Sequence, residues 1–171
     1  MLDITDLILQ DHHEQRRVFA MLDEIGDDVV ALTAVWQRLK ILLEVHAEAE
    51  ERLFYPPLLK VGTGAVDADD AEEETRDAIE DHNDIRDAVA LAEQHEVGSK
   101  EWWEAVDEAN RANSDHMGEE ERQGLTDFRR NTDLSTRHQL GLAFITFESQ
   151  HGAEGVPARD KDPDAYIAQH S

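Results

Sequence analysis

The chain contains no cysteine, which removes disulfides, thiolate metal sites and cysteine nucleophiles together. Basic residues are scarce: 16 Lys and Arg stand against 40 Asp and Glu, a formal charge of −24. Nucleic acid and anionic membranes are gripped through clustered cations, so neither is expected as a partner. No apolar run approaches the roughly 18 residues that span a bilayer. The start, Met1 to Asp6, lacks the basic and apolar regions of a signal peptide, and a cytoplasmic location is the expectation. Strand-like alternation of apolar and polar residues persists nowhere, so the fold class is all-α.

What is present is helical periodicity. Residues 3–25 carry Ile4, Ile8, Phe19 and Leu22 at helical spacing, and Gly26 supplies a stop. A second helix is expected from about residue 32 to 60, through Trp36, Leu39, Leu43 and Leu53, with Pro56-Pro57 reshaping its last turn. The acidic run from Asp67 to Glu74 suits the positive N-terminal end of a third helix, which buries Ile79, Ile85 and Val89 and ends near Gly98. Trp102, Val106 and Ala109 mark a fourth, loosening at Gly124. A shorter fifth helix is expected over about 134–150, with Phe144 or Phe147 lying over the bundle, and an irregular tail from Gly152 to Ser171. Residues 1–130 are thus expected to form an up-down-up-down four-helix bundle, with 131–171 a helix and tail packed on it.

Polar residues interrupt the apolar stripes at matching places. His46 and Glu50, four residues apart, share one helix face, and His116 and Glu120 repeat the spacing. His12 and His82 fall on the inward stripes of the first and third helices. Counted from the connecting loops, the four histidines lie roughly 14 to 17 residues in, which at about 1.5 Å per residue sets them on one level of the bundle. Buried imidazoles and carboxylates are costly unless compensated. A metal site built from His12, His46, Glu50, His82, His116 and Glu120 would compensate them. Six ligands are too many for one small ion and too few to saturate two, so two ions with open positions follow. The donor set suits iron, and also manganese or zinc.

Other residues read more blandly. His13 lies on a strip turned to solvent, while Gln15 stands on the inward stripe, placed to hydrogen-bond a ligand or an iron-bound species. Tyr55 reads as a packed tyrosine. Glu148 and His151 have the Glu-x-x-His spacing of ferritin-like sites but stand isolated. The run from Asp67 to Asp70 lacks the glycine and closing glutamate of a calcium loop.

These motifs resemble, in order, those of the hemerythrin-like (HHE cation-binding) family. Asp11-His12-His13-Glu14 with Phe19 is similar to its first-helix motif, and His46 to Glu50 through Tyr55-Pro56 to its second. Asp81-His82 with Ile85 is similar to the third, and His116 to Glu121 to the fourth. The resemblance spans roughly residues 3–125 and implies a non-haem di-iron centre, with Glu50 and Glu120 as bridges and the four histidines as terminal ligands. Its small-molecule partners would be dioxygen, hydrogen peroxide or nitric oxide. Oxygen carriers of this family add a histidine one turn from the third-helix ligand. Here Ala78 and Arg86 occupy those positions, which favours open-site chemistry over oxygen carriage. Two functions follow from the resemblance: catalase-like peroxide disproportionation, or binding, storage or sensing of iron, oxygen or nitric oxide without turnover.

Overall fold

A computed structural model describes residues 1–66 and 70–171. The described residues form eight helices and no strand: α1 (Ile4–Ile25), α2 (Val29–Leu53), α3 (Tyr55–Val61), α4 (Ala71–Ala92), α5 (Lys100–Arg122), α6 (Gly124–Asn131), α7 (Leu134–His151) and α8 (Pro163–His170). None is long and apolar enough to cross a membrane. Most begin where a short polar side chain satisfies the free N–H groups of the first turn. Asp28 accepts from Val30 N and Ala31 N, Asp70 from Glu72 N and Glu73 N, and Ser99 from Trp102 N. Of the acidic run from Asp67 to Glu74, residues 67–69 lie outside the described ones, and with them most of the disfavoured calcium-loop sequence. Asp70 is the cap, and Glu72, Glu73 and Glu74 occupy the first turn of α4.

Proline divides the second helix more sharply than a reshaped turn. Pro56 and Pro57 offer no N–H, so α2 closes at Phe54, whose N–H bonds Glu50 O at 2.8 Å, and α3 restarts at Tyr55.

The core has two parts. Ile4, Ile8, Ala49, Phe54, Leu58, Ala78, Ile79, Leu125 and Phe128 form one cluster. Val18, Phe19, Leu22, Leu32, Trp36, Leu39, Ile85, Ala92, Trp102 and Val106 form the other, where Trp36 and Trp102 meet edge to face at 5.6 Å. Each of α1, α2, α4 and α5 contributes to the packing along this helical bundle. Between the clusters lies a buried polar layer of His12, Gln15, His46, Glu50, His82, Asn113, His116 and Glu120. Helix α7 packs on α1 and α2, and Gly141 lets it approach so closely that a Cβ there would stand 3.1 Å from the backbone N of Ile4.

The tail departs from expectation. Residues 157–162 are irregular, but Pro163–His170 is a helix. Asp162 accepts from Ala165 N, and Pro163 takes the first helical position, where a missing N–H costs nothing. Tyr166 and Ile167 are buried against the bundle, and the Tyr166 hydroxyl donates to the Glu51 carbonyl. An Asp-Pro start signal was present in the sequence; the tertiary contact is what makes so short a helix stable.

Candidate metal centre

Helical spacing delivers all six expected site residues to the layer between the two core clusters, each at most 5 % exposed. Glu50 is central. Its Oε1 lies 2.9 Å from His46 Nε2 and 3.9 Å from His12 Nε2, and its Oε2 lies 3.3 Å from His82 Nε2 and 3.9 Å from His116 Nε2. Two sets of potential ligands therefore share one carboxylate, His12–His46–Glu50 and Glu50–His82–His116. Glu120 is brought beside His12, with Oε2 at 3.2 Å from Nε2. Its other oxygen accepts the Tyr55 hydroxyl at 2.6 Å, so Tyr55 is both packed and part of the site. Burial pushes the Tyr55 phenol well above its ordinary range, and the Glu120 carboxylate adds to that.

The opposite faces of the imidazoles reveal what sequence reasoning missed. Each Nδ1 meets a carboxylate of another helix: His46 meets Asp11 at 3.0 Å, His82 meets Glu51 at 2.8 Å, His116 meets Asp81 at 3.3 Å and His12 meets Glu121 at 2.9 Å. The circuit of accepting carboxylates is closed. Helix α1 serves α2, α2 serves α4, α4 serves α5, and α5 serves α1. An ionised carboxylate can only accept, so each Nδ1 carries its proton and each Nε2 is aimed inward as a potential ligand.

Charge and burial compete across the layer. Burial alone would lower the His46 imidazole, but Glu50 and Asp11 raise it well above its ordinary value. Burial opposes charging of His116 too, yet Asp81 and Glu50 bring it to about 10. Burial would raise Glu50, and its histidine neighbours hold it well below the carboxylate range instead. Protons on these rings balance the buried acids, and a cation entering the layer must displace them.

The donor set fits a metal. His12 Nε2, His46 Nε2, both Glu50 oxygens and Glu120 Oε2 are buried without a well-formed hydrogen bond. Orphaned polar atoms of this kind are rare in folded proteins, and here they converge on common space.

Three expectations are refined. Gln15 accepts from Asn113 Nδ2 at 3.0 Å and does not bond a ligand histidine. Ala78 packs in the core, and Arg86 turns its guanidinium to Glu44 and Glu51, so neither extends the donor set. Glu148 does reach the layer, without His151: it groups with Asp11 and His46. Burial, then the neighbouring Asp11, raises Glu148 to about 9, while against its own burial Asp11 is held below its ordinary value by His46 and Glu148, so the proton stays on Glu148. From α7, Phe144 lies edge-on to His46 at 6.2 Å, as expected of a residue covering the bundle. His13 is exposed.

The family model described as hemerythrin HHE cation binding domain matches residues 3–125. Neither a curated protein nor a solved structure matches the chain.

Proposed function

The chain belongs to the hemerythrin HHE cation-binding family, and from that premise we propose that it is a di-iron protein reacting with small oxidants. His12, His46, His82 and His116 would be the terminal ligands, and Glu50 and Glu120 the carboxylates shared between the ions. The observation that carries this reading is the inward-facing set of Nε2 and carboxylate oxygen atoms, in which His12 Nε2, His46 Nε2, both Glu50 oxygens and Glu120 Oε2 are unpaired and His82 Nε2 meets only His116 Nε2 at 3.1 Å, backed by a carboxylate behind every Nδ1. The disposition of Glu50, one oxygen toward each histidine pair, suits a bridge better than a ligand of one ion. The same reading takes the long helices as an up-down-up-down bundle. In its support, α1 and α4 run from the first core cluster to the second, α2 runs back, and α5 starts in the second and leads into α6, whose Leu125 and Phe128 belong to the first. Residues 131–171 are then an addition that covers the bundle.

When bound, an iron pair supplies reversible one- and two-electron chemistry toward dioxygen, hydrogen peroxide or nitric oxide; manganese and zinc share the donor preference. The protein's own part is to position and to shelter. Asp11, Glu51, Asp81 and Glu121 fix the imidazole tautomers, Tyr55 anchors Glu120, and the apolar clusters shield the layer along the bundle axis.

Bound metal per chain, measured after anaerobic loading with ferrous iron for wild type and His116→Ala, tests the reading. About two irons in the wild type and a clear loss in the variant are expected. A wild type without metal, or a variant that binds as much, overturns it. Consumption of many equivalents of peroxide by the loaded protein would then mark turnover, and a single stoichiometric event would mark a binder.

A further inference from the structure

A cavity of about 390 Å³ opens between α2 and α4 and runs inward to His46, His82, His116 and Asn113. Its walls are mainly apolar, with Leu43, Ala47, Ile85, Val89 and Val156 among them. Val156 comes from the segment after α7, which is seated closely: Gly155 adopts a left-handed conformation (φ +79°), and a Cβ there would touch Ile41 Cγ1 at 3.5 Å. The volume is out of proportion to the small oxidants. A water molecule occupies about 30 Å³ of liquid, and dioxygen, peroxide and nitric oxide are of that order. Spaces of roughly 300–1,000 Å³ are those that enclose organic ligands.

Charge narrows the ligand further. The cations along the cavity are already engaged, Arg86 with Glu44 and Glu51, and Lys40 with Glu93. An anionic ligand would have to break those pairs in a chain of formal charge −24. A cationic one would lose hydration against the apolar walls. A neutral molecule meets neither cost.

We propose that this cavity binds a neutral organic molecule with an apolar body and one oxygen-bearing head, the head lying at the imidazole layer. Organic hydroperoxides are the substrate class with that form, and their parent alcohols share its shape. The substrate assignment rests on the metal reading; occupancy of the cavity does not.

The probe is 2-phenylpropan-2-ol, a redox-inert alcohol, titrated by calorimetry into the full chain in metal-free and iron-loaded forms. Val89→Phe and Val156→Phe, both away from the ligand layer, are titrated alongside, with thermal melting to verify the fold of each. Wild type is expected to saturate at one equivalent in both forms, and a folded variant to bind roughly tenfold or more weakly while retaining its metal. Absence of saturable binding to wild type overturns the proposal, as does wild-type affinity in both variants, which would leave a water-filled passage for small oxidants. The two readings fail separately. Metal retained without probe binding refutes the cavity alone, and probe binding without metal refutes the centre and the substrate assignment.

Discussion

Replacing Glu51 by Gln should expose the energetic cost of the outer carboxylates. Glu51 is 2 % exposed and faces three groups that carry or accept positive charge: His82 Nδ1 at 2.8 Å, Arg86 Nη2 at 3.0 Å and the Lys161 ammonium. Burial alone would raise its carboxyl, but these partners outweigh it and hold the value at about 2 instead of 4.5. At about 1.4 kcal/mol for each factor of ten, that preference for the ionised form corresponds to ~3 kcal/mol of folding stability. Breaking a buried ion pair from one side costs about 3–5 kcal/mol by mutagenesis, so the two routes agree. For a chain of this size the loss corresponds to a melting point lower by roughly 6–12 °C. The sign of the pH dependence follows. A depressed folded value stabilises fully above about pH 4.5 and loses its contribution as pH falls toward 2. Melting of the metal-free wild type and Glu51→Gln, followed by circular dichroism from pH 7 to pH 3, should show a large gap that narrows on acidification. A gap under about 2 °C at pH 7, or one of the same size at pH 3, would refute the reasoning.

Glu74 should behave with the opposite sign. It is 5 % exposed, its oxygens have no well-formed hydrogen bond among the described residues, and burial with the nearby Asp127 raises it to about 7. Stability is therefore lost as pH rises from about 4.5 through 7, and Glu74→Gln should gain ~1–2 kcal/mol at pH 8 but nothing below pH 4.5. Denaturant unfolding at pH 8 and pH 4.5 checks this, and an equal effect at both would be inconsistent with it. Gly141→Ala should cost ~1–3 kcal/mol, because the new methyl meets backbone atoms of Asp3 and Ile4 that cannot turn aside. An unchanged melting point would mean that α7 does not press on the start of α1.

Much of the centre was legible because a helix is a local, periodic object. A fixed rise and rotation per residue put His46 above Glu50 and His116 above Glu120, and loop counts set His12 and His82 at the same level. The acids behind the histidines were harder to read, although each adjoins a site residue: Asp11 beside His12, Glu51 beside Glu50, Asp81 beside His82 and Glu121 beside Glu120. One step along a helix turns a side chain by about 100°, away from its neighbour's partners and toward another helix. Glu148 reaches the layer for a related reason, since its partner is Asp11 on α1 and not the histidine three residues away. The last helix carried its Asp-Pro start in plain view, but eight residues hold a helix only where Tyr166 and Ile167 find a surface to cover.

Helical periodicity alone specifies which side chains face inward, at what height, and therefore that a buried His/Glu layer must exist and must be compensated. Those quantities depend on one helix at a time. Helix packing sets which carboxylate serves which imidazole, that Glu50 stands between both histidine pairs, and that a cavity reaches them between α2 and α4. These depend on the separation and order of helices far apart in the chain, which no local periodicity encodes.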